Sequence, residues 1–158
     1  MVARVPDPGN VDIRLILLPM LRAEEGLRLT VYDDATGKPI VPGSHVVGHP
    51  TVGYGRALDV RGITELEAEA LLAADVAAIC AQLDEHLPWW RTLTPRRQAV
   101  LAGMAYQMGL AGLLKFRATL QAMRLGDYET AANGMRASLW AKQTPTRVGR
   151  MVTAMREG

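Results

Sequence analysis

The spacing of apolar and polar positions changes character partway along the chain. Leu27, Leu29 and Val31 alternate with Arg28, Thr30 and Tyr32, a period of two that predicts a half-buried strand. Asp33-Asp34-Ala35-Thr36-Gly37 has turn chemistry, Pro39 to Pro50 is rich in Pro, Gly and Val, and Thr51 to Gly55 looks like a returning strand. A small β-hairpin or sheet is therefore expected from Leu27 to about Leu58. Beyond it the period becomes helical: Leu66, Ala70, Ala73, Val76, Cys80, Leu83 and Leu87 recur along one face until Pro88. Thr64-Glu65-Leu66-Glu67 reads as a capping box in front of that run. The resulting helix exceeds twenty residues, long enough for a strut between two lobes. Thr94-Pro95 opens a helix reaching Gly109. Further helices are expected over Leu113–Leu125, Tyr128–Ala137 and Pro145–Arg156, the last capped by Thr144. Upstream of the strand, a helix is expected between about Val11 and Glu25, stopped by Gly26. Pro19 suits a first turn better than an interior, which favours a start near it.

These elements define an α+β class: a small N-terminal sheet lobe (11–63), a connecting helix (64–88) and a C-terminal helical lobe (89–158), preceded by a flexible arm (1–10). A length of 158 residues with 49% hydrophobic and 22% charged residues fits one domain with a real core. The net charge of +2 and sequence pI near 8.9 suit an anionic polymer partner: cell wall, nucleic acid or membrane surface. Cys80 stands alone, so no intramolecular disulfide forms; it reads as a small core residue of a protein made in the cytoplasm. Leu15 to Leu18 is too short for a secretory h-region, and Pro19 and Arg22 follow at once. No apolar run approaches the roughly 18 residues of a membrane span.

Most chemical signatures are missing. His45 and His49 are four apart, but in a Pro/Gly segment with no Cys or carboxylate at metal spacing, so no metal is expected. There is no phosphate loop and no serine elbow. No cofactor is expected. Trp89-Trp90 reads as a cap of the long helix against the helical lobe, and Met104, Met108, Met123, Met135, Met151 and Met155 as core fillers. Two acidic doublets remain, Glu24-Glu25 and Asp33-Asp34, at the two ends of the alternating run. Each could be solvated or turn-capping charge. A carboxylate pair across a hairpin also suits glycosidic cleavage, with one acid protonating the leaving oxygen and a second carboxylate activating water. A glutamate at a helix end against a sheet fits the first role, and an aspartate in a polar turn the second.

The order Glu-Gly-Leu-Arg-Leu, Tyr-Asp-Asp, Gly, Thr-x-Gly-Tyr-Gly resembles the phage-type lysozymes of glycoside hydrolase family 24. Tyr106-Gln107-Met108-Gly109 with Phe116, Ser138-Leu139-Trp140 and Gln143-Thr144-Pro145-Thr146-Arg147 are similar to later elements of that family. The resemblance covers about Leu15 to the C-terminus and implies a lysozyme-like fold. It implies a muramidase that hydrolyses the β-1,4 bond between N-acetylmuramic acid and N-acetylglucosamine, with inversion. Glu25, before Gly26, takes the place of the catalytic acid, and Asp34, nine residues on, that of the catalytic aspartate. Thr51 matches the threonine that positions water, and Arg147 an arginine beside the acid. Tyr106, Gln107 and Thr119 match positions lining the glycan cleft.

The resemblance further implies an endolysin: a monomer with no nucleic-acid partner and no stable membrane insertion. It would wait in the host cytoplasm for a separate holin-type pore, then act on peptidoglycan in the periplasm or wall. There are departures. The thirteen residues KPIVPGSHVVGHP, 38–50, separate Gly37 from Thr51 where compact members have far fewer; they are expected to lengthen the hairpin tip. Gly103 stands where some members carry a polar side chain near the acid. Two other readings stay open. A lytic transglycosylase would need only one acid. A non-catalytic module binding murein or membrane would use the segment Arg147–Arg156.

Overall fold

The computed structural model describes residues 12–158; the expected N-terminal arm and Val11 lie outside the described residues. The chain divides into two compact units, Met1–Glu65 and Leu66–Gly158.

The first unit opens with helix α1 (Arg14–Glu25), which runs straight through Pro19. The expected start near Pro19 is thus corrected. Proline removes one intrahelical donor and crowds the preceding turn, but α1 buries no residue, so water can satisfy the carbonyl left without a partner. Gly26, at φ 65° and ψ 158°, ends the helix. Strands β1 (Arg28–Asp33), β2 (Pro50–Gly53) and β3 (Arg56–Ala57) form an antiparallel sheet in that order. Tyr32 pairs with Thr51 and Asp33 with Pro50, whereas Arg28 pairs with Gly53, so the register shifts between Arg28 and Tyr32. The leucines of the alternating run do not face a core: Leu29 is 82% exposed. A one-turn helix α2 (Leu58–Arg61), unsignalled by any hydrophobic period, closes the unit.

Segment 38–50 does not extend the hairpin tip. Gly37, at φ 67°, turns the chain back, and Ile40 donates its N–H to the Val31 carbonyl at 3.0 Å. Tyr32 bridges Pro39. Lys38, Pro39 and Ile40 therefore return along the end of β1 before the chain enters β2 at Pro50.

The second unit is helical. Helix α3 (Glu65–His86) begins one residue after Thr64, as the capping signature predicts, but its apolar face is covered only toward its end. Leu83 is fully buried, while Leu66 is 81% exposed. A 3₁₀ turn (Pro88–Thr92) buries Trp90. Helix α4 (Pro95–Leu113) is capped by Thr94, whose hydroxyl accepts from the Arg97 N–H, and is interrupted at Gly109 (φ 70°, ψ 163°). Residues up to Leu113 belong to that continuation, so the next helix, α5 (Arg117–Arg124), starts later than the sequence predicts. Helices α6 (Tyr128–Arg136), α7 (Leu139–Gln143) and α8 (Pro145–Glu157) follow. Helix α7, too short for a visible period, starts where the Ser138 hydroxyl accepts from the Ala141 N–H. Thr144 does precede α8, but its hydroxyl donates to the Trp140 carbonyl instead of capping.

Met104, Met123, Met135 and Met155 are fully buried with Leu83, Leu101 and Leu113, and Met108, Met151 and Cys80 pack against that core. Trp90 donates from Nε1 to Asp84 at 2.7 Å, tying the turn to the end of α3.

Candidate active site

Glu25 is the last residue of α1 and is solvent-exposed. Its carboxylate lies over the turn between β2 and β3: a Cβ placed on Gly55 would stand 3.0 Å from Glu25 Oε2. Gly55 has φ 77°, a conformation open to glycine and costly for other residues, so this residue both makes the turn and leaves room for the carboxylate.

The two members of the second doublet differ sharply. Asp33 is 3% exposed, and its carboxylate accepts three main-chain N–H groups. Ala35 and Gly48 donate to Oδ1 at 3.0 Å each, and Val47 donates to Oδ2 at 2.9 Å. The Val47 N–H is the largest influence holding its pKa below the ordinary value, with Gly48, Ala35 and the Thr36 side chain adding to it against desolvation. Asp33 is therefore more than the solvated or turn-capping charge expected from sequence; it fastens the returning limb of the inserted segment.

Asp34 is exposed. Its Oδ1 accepts the His49 N–H at 2.7 Å, and its own N–H donates to the His49 carbonyl at 3.2 Å. Gly48 passes so close that a Cβ there would lie 2.1 Å from Asp34 Oδ1 and 2.8 Å from the Ala35 backbone nitrogen. Thr51, on β2 and 2% exposed, donates its hydroxyl to that same His49 carbonyl at 3.1 Å. The His49 ring completes the arrangement with a 2.9 Å contact from Nδ1 to Asp59 Oδ2 of α2. Its pKa is raised, chiefly by that hydrogen bond and the Asp59 charge, with a smaller contribution from Asp34. The seven residues from His49 to Gly55 thus touch Asp34 at one end, carry Thr51 in the middle and approach Glu25 at the other.

Gly48, His49, Gly55 and Asp59 were missed as site residues in the sequence. His49 drew notice only as half of a histidine pair, and its main-chain role leaves no residue-type signal. Among the described residues no group of three or more His, Cys, Asp or Glu is placed to hold a metal.

In the second unit, Tyr106, Gln107, Gly103 and Arg147 meet with Leu72, Val76 and Ile79 around one groove of about 380 Å³. Tyr106 is half exposed. Gln107 Oε1 accepts from Trp140 Nε1 at 2.9 Å, which fixes its amide on the groove wall. Arg147 makes no ion pair among the described residues. Gly103 is backed by Met151, whose Cε would lie 2.7 Å from an added Cβ; the thioether fills the space a polar side chain would take. Thr119 is not part of this wall. It is 5% exposed, and its Oγ1 would lie 2.4 Å from a Cβ on Gly134 of α6. It is packed between helices, away from solvent.

Residues 22–156 match the family profile described as phage lysozyme. The chain belongs to the phage lysozyme family. Its α+β architecture, a small antiparallel sheet followed by a helical unit, is the lysozyme-like one. The matched span holds every site residue named above. The chain is 32% identical to the pre-baseplate central spike protein Gp5 of Enterobacteria phage T4, across 99% of this chain and 30% of that protein. It is 24% identical to the probable T4-type lysozyme 1 of Dictyostelium discoideum, across 88% of this chain and 92% of that protein. It is 31% identical to the peptidoglycan hydrolase gp36 of Pseudomonas phage phiKMV, across 83% of this chain and 14% of that protein. The chain therefore spans less than a third of the spike protein's length and nine-tenths of the Dictyostelium lysozyme's.

Proposed function

We propose that this lysozyme hydrolyses the β-1,4 bond between N-acetylmuramic acid and N-acetylglucosamine in peptidoglycan. Glu25 protonates the glycosidic oxygen, Asp34 takes a proton from the attacking water, and Thr51 supports the water-handling side. The observation that carries the reading is the strand segment His49–Gly55, which contacts Asp34, contains Thr51 and meets Glu25. Asp34 sits in a polar turn open to water, within reach of an attacking solvent molecule. Tyr106 and Gln107 are the candidate glycan contacts of the second unit, with Arg147 as a supporting residue on the same groove; Thr119, 5% exposed, offers a glycan little surface.

Two carboxylates in separate roles support inverting hydrolysis over a transglycosylase, which needs one acid. Product analysis on purified peptidoglycan tests this. Hydrolysis gives a reducing muramic acid end, whereas a 1,6-anhydro product, lighter by one water, would refute it. Proton NMR of the first-formed anomer should show the α form; a β product would remove the inversion claim. Glu25→Gln should abolish lysis with the fold intact, and a fully active Glu25→Gln protein would end the assignment.

The deployment proposed first is that of an endolysin reaching the wall through a holin-type pore. The match to a baseplate spike protein over 99% of this chain favours a second reading, a lysozyme unit carried on a larger particle protein. Antibody detection of the native gene product separates them. A band near 17.2 kDa fits the endolysin, and a much larger band that sediments with particles fits the spike.

A further inference from the structure

We propose that His49, tethered through its ring to Asp59, is a positioning residue that holds Asp34 in its working place. The inference rests on the reading of Asp34 as the base.

The geometry is a jig built from one peptide unit and one side chain. The His49 N–H donates to Asp34 Oδ1 at 2.7 Å. The His49 carbonyl accepts from the Asp34 N–H at 3.2 Å and from the Thr51 hydroxyl at 3.1 Å. One residue therefore fixes both the orientation of the Asp34 carboxylate and its distance from Thr51. Asp34 Oδ1 is committed to this bond, which leaves Oδ2 to accept from a water. In the hydrolytic step that water's oxygen bonds to the anomeric carbon and its proton passes to Asp34. The bond to the leaving oxygen breaks, and that oxygen takes the proton of Glu25.

The jig is anchored on both sides. Asp33 gathers the N–H groups of Val47 and Gly48 immediately before it. The 2.9 Å contact between His49 Nδ1 and Asp59 Oδ2 restrains it from α2. Gly48 must lack a side chain for the limb to close, since a Cβ there would overlap Asp34 Oδ1 at 2.1 Å. The inserted residues thus have a use beyond length: they deliver a donor to the carboxylate. The His49 and Asp59 side chains are each about half exposed, so the pair itself contributes little to stability. Its value lies in holding the peptide, and a small displacement of a reacting group can cost up to about a hundredfold in rate.

The test is steady-state hydrolysis of purified peptidoglycan by wild type, Asp34→Asn, His49→Ala, Asp59→Ala, Asp59→Asn and the His49→Ala/Asp59→Ala double variant, each with its melting temperature. His49→Ala and Asp59→Ala should each lower kcat about tenfold, with KM unchanged within twofold and melting barely moved. The double variant should lose no more than either single, because both break one tether. Asp59→Asn, whose amide oxygen still accepts from Nδ1–H, should recover most of the rate. Wild-type kcat in both alanine variants, multiplicative losses in the double variant, or an effect on KM alone would overturn the proposal. If Asp34→Asn is inactive while the tether variants are unaffected, only this inference fails. If Asp34→Asn keeps full activity, the reading of Asp34 fails instead.

Discussion

Glu25 lies against Gly55, with the space for a Cβ on the glycine only 3.0 Å from the glutamate's Oε2. Gly55→Ala should therefore act twice. At φ 77° an alanine costs about 1–3 kcal/mol of backbone strain, and its methyl crowds the carboxylate. Gly43 provides the comparison, since it has φ 87° but nothing within 4 Å of a built Cβ. Gly43→Ala should lower the melting temperature alone, whereas Gly55→Ala should also lower kcat. Equal turnover in the two variants would separate Gly55 from the acid.

Acid stability depends on depressed carboxylates. Asp84 accepts from Arg91 at Nε (2.7 Å) and Nη2 (2.9 Å) and from Trp90 Nε1 (2.7 Å). The Arg91 bonds first and the Trp90 bond second pull its pKa down to about 2. The folded-state value lies below the unfolded one, so the associated stability is complete above the unfolded value near 3.8 and is lost as pH falls toward 2. Asp33, Asp127 and Glu129 are shifted the same way. Denaturant melts of wild type should weaken between about pH 4 and 2, and Asp84→Asn should be less stable at pH 6 with a shallower decline below pH 4. An unchanged slope would show that Asp84 does not contribute to it.

The sequence carried more of the first unit's chemistry than of its packing. Glu25 was singled out because a helix-stopping glycine follows it, and Asp34 because the resemblance fixes its interval from Glu25; the structure sets both beside the segment 49–55. Asp33 was not, because its main-chain donors Val47 and Gly48 lie 14 and 15 residues away, beyond any local turn rule. The alternation Leu27–Leu29–Val31 revealed a strand but not its exposure, since period reports only which residues share a face. In the second unit, Pro95, Gly109 and Pro145 fixed helix boundaries to within a few residues, while α7 was too short to show a period. Thr119 was read as a cleft residue because a motif position says nothing about which way a helix turns its side chain.

Arg97 joins the start of α4 to the end of α8. From near the start of α4 it donates to the Met155 carbonyl at 2.8 Å and the Arg156 carbonyl at 2.9 Å, capping the last turn of α8. Its guanidinium also stacks 3.5 Å from the Tyr128 ring centroid. Arg97→Ala leaves two helix-terminal carbonyls unpaired and should cost about 2 kcal/mol. Arg97→Lys, with one charged head in place of a fork, should recover only part. Denaturant midpoints measure both, and kcat at low temperature should stay near wild type because none of these groups belongs to the site. A midpoint within experimental error of wild type for Arg97→Ala would refute the clamp.

Thr119 and Gly134 supply the sharpest check on packing against recognition. Gly134→Ala would ordinarily favour helix α6 by about 1 kcal/mol. Here the new Cβ would stand 2.4 Å from Thr119 Oγ1, on a β-branched side chain with few rotamers at a 5% exposed position. Overpacking of this kind costs about 1–3 kcal/mol, so the net effect should be destabilising. Thr119→Ala opens the space, and in that background Gly134→Ala should become neutral or stabilising, a coupling that a double-mutant cycle reads directly. Thr119→Ala should also leave KM for peptidoglycan unchanged, because a hydroxyl packed between α5 and α6 meets no glycan. A raised KM with additive stabilities would return Thr119 to the cleft.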